Sequence, residues 1–519
     1  MMTRNVLFIM ADQLRRDHLA CYGHPYIRTP HLDALARRGV RFDQAYVNSG
    51  VCGPSRMSYY TGRYPSSHGA TWNRVPLPIG EVTLGEYLRS AGHRLALAGK
   101  THVMPDHAGL QRLDIDGGSA LGALLRRGGF EEIDRYDGHH RPGAESGYPA
   151  FLRAMGYDSA DPWSDYVISG IDASGQVVSG WHMRNVHLPA RVAEPHSETA
   201  YMTDQAMDFM SRQGDSPWVL HLSYVKPHWP YMAPAPYHAR YSFDQCLPVQ
   251  RHAAELEDAH PVVAAYRQSE ESQSFAMEDC VRTVRPVYQG LIEQLDHHLG
   301  RLFEHMDRLG VLQDTLILFC ADHGEFLGDH WLGEKELFYD MVQRVPFIVV
   351  DPSPAADATR GQVEQRLVES VDVVPTILSA LGLPCPSHRL EGRSLLPLLH
   401  GHTTDWRDAA FSELDYSFKL ARRRLGHTPQ NARAYSVRQG RWRYVYWLEA
   451  PEQLYDLEAD PHEMHDLGRE ASTASVRQAL RDTLLDWLAR RKRRTTLTDE
   501  QVETSTHAHK QAGVYFGQW

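Results

Sequence analysis

The sequence predicts an α/β sandwich with a doubly wound sheet, followed by a small antiparallel sheet near the C-terminus. Three observations lead to this prediction. Short apolar runs are continuous rather than alternating, which is typical of strands that are covered on both faces. Helical patterns lie between these runs, and alternation of strand and helix is typical of an α/β fold. Towards the C-terminus, shorter runs alternate between apolar and polar residues and are separated by turns, which indicates antiparallel strands.

The individual elements follow from these patterns. Buried strands are predicted at residues 6–10, 95–98, 218–225, 315–320 and 346–350. The strongest helical pattern runs from Leu291 to Leu309 and is closed by Gly310. Antiparallel strands are predicted at residues 434–437, 442–447 and 454–457, with a helix at about 475–490 beside them.

The patterns divide the chain into two parts. Residues 1–385 are predicted to form an α/β domain that carries the candidate site, and residues 386–519 a C-terminal subdomain with the small sheet, a helix and an aromatic tail. Residues 105–215 are rich in Gly, Asp, Tyr and His, so we expect a loop-rich insertion that shapes the pocket. Three aromatic residues among the last five predict that the tail, 513–519, docks on its own or a neighbouring subunit. We expect a homo-oligomer, either a dimer or a tetramer.

Composition argues against several classes of protein. A net charge of −11 over 519 residues disfavours binding of nucleic acid, which needs a basic surface. We see no apolar run of about 18 residues and therefore expect no membrane span, and the run at residues 6–10 is too short for a signal peptide. The six cysteines form no close pair, which argues against a disulfide framework or a zinc ribbon. We therefore expect a cytoplasmic protein.

Four predicted strands end in side chains that bind metals or transfer protons. The sets are Asp12-Gln13, Lys100-Thr101-His102, Lys226 with His228, and Asp322-His323. Ligands of open α/β sheets bind outside the carboxyl ends of the strands, so we expect one convergent site. Oxygen ligands with a single imidazole suit Ca²⁺, Mg²⁺ or Mn²⁺. Either acidic pair alone is better interpreted as a helix cap or a capped turn, but the two together favour a metal site.

Cys52 lies at the start of a predicted helix. Pro54 fits the first helical turn, which places Cys52 in the positive field of the helix N-terminus. That field stabilises a thiolate or an anionic substrate, and Arg56, one turn along, could return over the same spot. The alternative is that Cys52 is a small buried residue, as free cysteines usually are.

The stretch from Cys52 to Gly62 resembles a known signature. Cys52-Gly53-Pro54-Ser55-Arg56, then Tyr60 and Thr61-Gly62, match the pattern C-x-P-S-R-x-x-x-[Leu/Phe]-T-G of the type I sulfatases, in the alkaline phosphatase superfamily. Tyr60 is the departure, and we interpret it as an apolar-for-apolar change on a buried helix face. Similar blocks follow in the family's order at residues 5–12, 29–33, 99–102, 226–230, 322–335 and 454–457.

The resemblance implies an alkaline-phosphatase-like sandwich with a large mixed, mostly parallel sheet between helices, plus a small C-terminal antiparallel sheet. It also implies that a formylglycine-generating enzyme oxidises Cys52 to formylglycine, whose hydrated aldehyde attacks sulfur or phosphorus. The covalent sulfo-enzyme hemiacetal then collapses and releases the inorganic anion. The implied cofactor is one divalent metal ion, Ca²⁺ or Mn²⁺. Its implied ligands are Asp12, Gln13, modified Cys52, Asp322 and His323.

The other roles in the family transfer by position. Arg56 and Lys100 would hold the hydrated formylglycine, and His102 would be the base that expels the product. His228 would protonate the leaving oxygen, and Lys335 would hold the oxygens of the transferring group. The implied substrate contacts are Asn73, Lys100, His228 and Lys335.

The substrate preference depends on which branch of the family the chain resembles more. Gln13 and His323 resemble the choline-sulfatase and phosphonate monoester hydrolase branches, and Asn73 resembles the latter, whereas Lys100 and His102 are the sulfatase choice. We expect a hydrolase of small anionic esters, namely aryl or small alkyl sulfates, with phosphonate monoesters and phosphodiesters as alternative or secondary substrates. The intact set of candidate residues disfavours a non-catalytic binding protein. A zinc phosphatase with an unmodified nucleophile would favour Ser or Thr at position 52.

Overall fold

The computed structural model describes residues 3–138, 146–402, 405–515, 517 and 519. The strands are β1 (Asn5–Asp12), β2 (Val40–Phe42), β3 (Ala45–Tyr46), β4 (Leu95–Gly99), β5 (Phe130–Arg135), β6 (Ser169–Ile171), β7 (Val177–Ser179), β8 (Val219–Pro227), β9 (Thr315–Ala321), β10 (Phe347–Val350), β11 (Val363–Glu364), β12 (Val368–Glu369), β13 (Ala409–Asp415), β14 (Arg433–Gln439), β15 (Trp442–Trp447) and β16 (Gln453–Asp456). The helices are α1 (Pro30–Arg38), α2 (Cys52–Thr61), α3 (Pro65–His68), α4 (Leu84–Ser90), α5 (His107–Arg112), α6 (Ala120–Arg126), α7 (Tyr148–Ala154), α8 (Glu198–Gln213), α9 (Pro261–Tyr266), α10 (Glu270–Ala276), α11 (Glu278–Arg308), α12 (Asp340–Gln343), α13 (Val373–Ala380), α14 (Leu396–Leu399), α15 (Leu420–Arg424), α16 (Ala474–Ala489), α17 (Asp499–Ser505) and α18 (Ala508–Gln511).

The main sheet has eight strands in the order β11-β2-β10-β9-β1-β8-β4-β5. The central strands β9, β1, β8 and β4 run parallel, and β10 runs antiparallel to both β9 and β2. Every residue of β1, β8 and β9 is buried, which explains why their apolar runs are continuous. The predicted mixed, mostly parallel sheet is confirmed.

The register of the central strands brings their carboxyl ends together. Ala11 of β1 pairs with Ala321 of β9, so Asp12 and Asp322 leave the sheet side by side. Gly99 of β4 pairs with Ser223 of β8, which places the segment after β4 at the same edge. The residues that sequence reasoning selected at four strand ends therefore meet at one edge of the sheet.

A separate antiparallel sheet, β13-β14-β15-β16, lies in the C-terminal part and confirms that element of the predicted fold. Sequence reasoning missed β13, which reads AAFSELD and contains few residues with high strand propensity. Packing compensates for this composition, because six of its seven residues are buried. The predicted division at residue 385 remains a prediction.

The stretch 105–215 is more regular than sequence reasoning expected. Its described residues include β5, which joins the edge of the main sheet, and the 16-residue helix α8. Ser197 caps α8 through its side chain, which accepts from the Ala200 N–H. Residues 139–145 of this stretch lie outside the described residues.

The C-terminal tail is exposed where the structure describes it. Tyr515 and Trp519 are both solvent-exposed in the single chain, and Phe516 and Gln518 lie outside the described residues. Docking of this tail and the expected oligomer remain predictions. Within the described ranges, every helix is too short or too polar to cross a bilayer.

Candidate active site

Arg56 lies at the centre of the site. It is fully buried on α2, with its Nη2 3.0 Å from Asp12 Oδ2 and its Nε 2.8 Å from Asp322 Oδ2. Its Nη1 donates to the Lys100 carbonyl oxygen at 2.9 Å and to Ser223 Oγ at 2.8 Å. Because a buried guanidinium needs an acceptor for its N–H groups, these four partners fix α2 against the ends of β1, β4, β8 and β9.

Asp12 is held as a carboxylate with one oxygen unused. Lys100 Nζ is 2.6 Å from Asp12 Oδ2, whereas Oδ1 is buried and accepts no hydrogen bond from the described residues. Burial raises the pKa of Asp12, but the positive charges of Lys100 and Arg56 oppose burial, and that pKa lies well below its usual range. A buried carboxylate oxygen without a partner is costly, so Oδ1 marks a place for a cation.

Four residues place a ligand atom at this point. Asp12, Cys52, Asp322 and His323 are buried, and their ligand atoms all lie within 4.8 Å of one another. His323 Nδ1 is 2.8 Å from the Gly324 carbonyl oxygen, so Nε2 faces the site, 3.0 Å from Cys52 Sγ. The carboxylates of Asp12 and Asp322 and the imidazole of His323 fit a hard or borderline divalent cation, and Asp12 Oδ1 is unused by hydrogen bonds from the described residues.

Gln13 has a left-handed backbone, with φ of 62°, beside the candidate metal site. Its N–H donates to Asp322 Oδ1 at 3.0 Å, and its Oε1 accepts from Lys335 Nζ at 2.9 Å. Its Nε2 donates to Glu325 and lies 3.4 Å from the Tyr231 hydroxyl. Glu325 therefore fixes the amide so that its oxygen faces Lys335. Sequence reasoning did not assign a role to Glu325, although it follows His323 by only two residues; ligation of a metal by Gln13 remains a prediction.

Cys52 begins α2 and is fully buried. The first turn of this helix is capped from outside, because Asn73 Oδ1 accepts from the Gly53 N–H at 2.7 Å. A Cβ on Gly53 would lie 2.9 Å from Asn73 Oδ1 and 3.0 Å from Asn73 Cα, so glycine is required for this close approach. Asn73, a predicted substrate contact, thus lies beside Cys52, with its carbonyl oxygen engaged in the cap.

His228 and Lys335 converge from two loops onto the same side of the site. Lys335 Nζ is 3.3 Å from His228 Nε2, and this nitrogen is 4.0 Å from Asp12 Oδ1. His228 Nδ1 is 2.6 Å from the Trp229 carbonyl oxygen, so Nε2 is the atom that faces the site. Burial and the charges of Lys335 and Lys100 hold the pKa of His228 well below its usual range, although Asp12 raises it.

His102 also has a left-handed backbone, with φ of 58°. Asp137 holds this segment: its Oδ1 accepts from the Thr101 N–H at 2.9 Å and from the His102 N–H at 3.4 Å. Burial and the charge of Lys100 hold the pKa of His102 well below its usual range. His102 is therefore a neutral imidazole. Asp137 lies in the predicted insertion, and sequence reasoning did not assign it a role.

Comparison with known proteins identifies the family of the chain. The sulfatase family pattern matches residues 4–383, and the pattern described as N-sulphoglucosamine sulphohydrolase, C-terminal, matches residues 328–490.

The chain belongs to the sulfatase family.

Its sulfatase-family relatives include enzymes named for different substrates. The chain is 33% identical to the multifunctional alkaline phosphatase superfamily protein PehA of Trinickia caryophylli, covering 94% of this chain and 95% of that protein. It is 30% identical to a choline-sulfatase of Rhizobium meliloti, covering 89% of this chain and 82% of that protein. A solved phosphonate monoester hydrolase from Silicibacter pomeroyi matches with a TM-score of 0.83 and 30% identity, covering 96% of this chain and 98% of the other. Recognition of the family, its fold and its hydrolase class is confirmed.

Tyr60, the departure from the sulfatase signature, makes a polar contact. Its hydroxyl is 3.0 Å from His221 Nε2 on β8, and His221 Nδ1 is 3.0 Å from the Phe8 carbonyl oxygen. The interpretation as an apolar-for-apolar change is therefore incomplete, because the extra hydroxyl has a buried partner that leucine or phenylalanine could not serve.

Proposed function

We propose that this member of the sulfatase family hydrolyses sulfate monoesters through Cys52 converted to formylglycine. The observation that carries the proposal is the position of Cys52. It lies at the N-terminus of α2, with its Sγ within 4.8 Å of the ligand atoms of Asp12, Asp322 and His323. A nucleophile at this point would meet a transferring group held by cations on several sides.

The candidate metal site supports the choice of nucleophile. A Ca²⁺ or Mn²⁺ ion held by Asp12, Asp322, His323 and the modified Cys52, with Gln13 as the further predicted ligand, would polarise a substrate oxygen and lower the pKa of the attacking hydroxyl. Arg56 keeps both carboxylates in place through its two ion pairs, at 3.0 and 2.8 Å. Contacts within the chain therefore orient the two predicted acidic ligands of the metal.

Lys335 and His228 are suited to act on the leaving group of the substrate. The Lys335 ammonium, adjacent to His228 Nε2, would bind an oxygen of the transferring group. Burial lowers the pKa of Lys335, but the carboxylates of Glu334 and Asp12, which remain when Cys52 is converted, raise it. Because the Nδ1 hydrogen of the neutral His228 ring is bound to a backbone carbonyl, Nε2 carries no proton at rest. Nε2 would take a proton from the adjacent Lys335 ammonium and pass it to the leaving oxygen. Lys335 is the proton-bearing neighbour of that nitrogen.

His102 is suited to the second half of the reaction. As a neutral imidazole it can accept the proton of the second hydroxyl of the hydrated aldehyde, which breaks the carbon–oxygen bond to the sulfate. The formylglycine aldehyde is regenerated and inorganic sulfate leaves. Lys100, whose ammonium is bound to Asp12, lies two residues away and would hold the same hydroxyl group.

Phosphonate monoester and phosphodiester hydrolysis is the second candidate function. The match to a phosphonate monoester hydrolase structure over 96% of the chain favours it, as do Gln13, His323 and Asn73. We place sulfate esters ahead because a base at position 102 and a cation at position 100 suit cleavage of the sulfated intermediate.

Two measurements on one preparation test the proposal. Protein made together with a formylglycine-generating enzyme should show the Cys52 peptide lighter by about 18 Da, the change from thiol to aldehyde, and should prefer an aryl sulfate over a phenyl phosphonate monoester in kcat/KM. Cys52→Ser should lose most turnover, whereas the matched control Cys385→Ser, at an exposed cysteine, should not. Full activity with an intact Cys52 thiol would refute the nucleophile, and a higher kcat/KM for the phosphonate would refute the substrate.

A further inference from the structure

Lys226 is bound to the loop that carries the proposed proton donor, His228. Its Nζ donates to the Pro230 carbonyl oxygen at 2.7 Å and to the His228 carbonyl oxygen at 3.3 Å. Glu198 Oε1 lies 3.1 Å from the same nitrogen, close enough for an ion pair although the geometry is not that of a hydrogen bond. The side chains of Lys226 and Glu198 are both buried. Because these three oxygens surround the ammonium, Lys226 is suited to hold the loop rather than to bind a substrate anion.

The two carbonyl oxygens that Lys226 binds flank the carbonyl of Trp229. The Trp229 carbonyl oxygen lies 2.6 Å from His228 Nδ1 and thereby fixes the tautomer and the direction of the His228 ring. With Nδ1 bound there, Nε2 lies 3.3 Å from Lys335 Nζ. A shift of the backbone at residues 228–230 would move the acceptor of Nδ1, so the ring could turn and take Nε2 away from Lys335.

The loop has few backbone donors of its own. Pro227 and Pro230 have no N–H group. The His228 N–H donates to the Val225 carbonyl oxygen at 3.0 Å, which anchors the start of the loop. Lys226 supplies the donor for the carbonyl oxygens at positions 228 and 230, so its side chain anchors the rest of the loop.

Glu198 places the Lys226 ammonium. It is the first residue of α8, where the N-terminus of the helix favours a negative charge. Its Oε2 accepts from the Tyr136 hydroxyl at 2.7 Å, which leaves Oε1 for Lys226. A buried ammonium needs a partner of opposite charge, so the ion pair explains why the Lys226 side chain can remain in the protein interior beside the loop.

We propose that Lys226, anchored by Glu198, is a positioning residue that holds the His228 ring in the tautomer and direction needed for proton transfer to the leaving oxygen. This inference rests on the proposed role of His228 and adds Lys226 and Glu198 to the residues on which that step depends. The competing interpretation is that the ion pair only stabilises the fold. The two differ in their consequences, because a misplaced proton donor slows esters of weakly acidic alcohols most, whereas a loss of stability slows all esters alike.

The test compares two sulfate esters that differ in their need for a proton. Nitrophenol leaves readily as an anion, whereas phenol is less acidic and depends more on the donor. Steady-state kcat/KM is measured on nitrophenyl sulfate and phenyl sulfate, with metal-loaded protein made together with a formylglycine-generating enzyme. Lys226→Met should lower kcat/KM by about 10- to 100-fold for phenyl sulfate and by less than about 3-fold for nitrophenyl sulfate. The reason is that general acid catalysis contributes on the order of 100- to 10,000-fold, of which a misplaced donor loses a part.

Three further variants complete the comparison. Glu198→Gln keeps the shape of the side chain and removes its charge, so it should show the same selective loss on a smaller scale. In the His228→Ala background, Lys226→Met should lower neither rate constant further by more than about 2-fold, since the donor is already absent. Arg443→Met, which breaks a buried ion-pair network on β15, should keep the wild-type ratio of the two rate constants.

The outcomes separate this inference from the proposed function. Equal losses for the two esters in Lys226→Met, when His228→Ala loses phenyl sulfate turnover selectively, would overturn the positioning role and leave the proposed function intact. Equal losses in His228→Ala would refute the donor role of His228 and this inference with it. If Lys226→Met does not fold, Glu198→Gln decides alone, and an unchanged ratio in that variant would overturn the inference. Turnover of phosphonates alone would refute sulfate hydrolysis, while the nitrophenyl and phenyl esters of methylphosphonate would still decide the role of Lys226.

Discussion

Removal of the Asp137 carboxylate should impair catalysis by His102 without changing the His102 side chain. Asp137 Oδ1 accepts from the N–H groups of Thr101 and His102, and Arg135 Nε donates to Asp137 Oδ2 at 3.0 Å. His102 is left-handed at this point, with φ of 58°. The substitution Asp137→Ala removes the one oxygen that accepts both hydrogen bonds and leaves the backbone free to relax to an ordinary conformation.

The magnitude follows from the backbone strain and the two bonds. A left-handed conformation costs a non-glycine residue about 1–3 kcal/mol, and a typical net hydrogen bond contributes about 1 kcal/mol. The bond to Thr101, at 2.9 Å, is the stronger, and the bond to His102, at 3.4 Å, is weak. The variant would have to spend this energy to return His102 to its left-handed conformation. We therefore expect kcat/KM to fall by about 10- to 100-fold, since each 1.4 kcal/mol corresponds to a factor of ten.

Steady-state kinetics on an aryl sulfate, in a double-mutant cycle with His102→Ala, measure this effect. Asp137→Ala should lower kcat/KM in the wild type and have little further effect when His102 is already absent. Asp137→Asn, which keeps an oxygen for the Thr101 N–H, should retain more activity than Asp137→Ala. The reasoning is refuted if Asp137→Ala is as active as the wild type, or if it costs as much in the His102→Ala background.

Three further predictions concern groups that support the site. Tyr60→Phe should lower the free energy of unfolding by about 1–3 kcal/mol, because buried His221 Nε2 loses its partner; urea denaturation measures this, and a kcat/KM that falls with stability unchanged would contradict it. Glu325→Leu should weaken divalent-cation binding to the apoenzyme by about 10- to 100-fold because the Gln13 amide loses its anchor; calorimetry with Ca²⁺ or Mn²⁺ checks this against the control Glu325→Gln, and an unchanged Kd would exclude the role. Burial raises the pKa of Glu413 to about 7. The folded state therefore binds this proton more tightly than the unfolded state, whose Glu413 pKa is 4.5. The stability that this proton contributes is lost as pH rises from 4.5 to about 7. The free energy of unfolding of Glu413→Gln should therefore rise, relative to that of the wild type, by up to about 3 kcal/mol as pH increases across this window. Parallel pH dependences of the free energy of unfolding in the two proteins would show that Glu413 does not contribute.

The strand ends were predictable because β1, β4, β8 and β9 contain continuous apolar runs. Polar residues follow each run at the point where the strand leaves the sheet. The parallel register then brings Asp12 and Asp322 together without further information. The orientation of Gln13 was not predictable, since it depends on Glu325 and on a left-handed backbone that no local pattern signals.

Long-range contacts account for the remaining differences. Asp137 reaches the segment after β4 from a stretch that looked irregular. β13 has a composition of low strand propensity and is formed because neighbouring elements bury it. Each case depends on residues that are far apart in the chain, where periodicity and propensity carry no information.

The burial of α2 has a consequence for the proposed conversion of Cys52 to formylglycine. All ten residues of this helix are buried, and Cys52 at its start has no exposed surface. A maturing enzyme would have to hold the cysteine peptide in its own active site, which the buried position of Cys52 in the folded chain does not permit. The proposed oxidation would therefore precede folding and compete with it. A chain that folded first would keep its thiol buried, so the proposal links the active fraction of a preparation to the supply of maturing enzyme during synthesis.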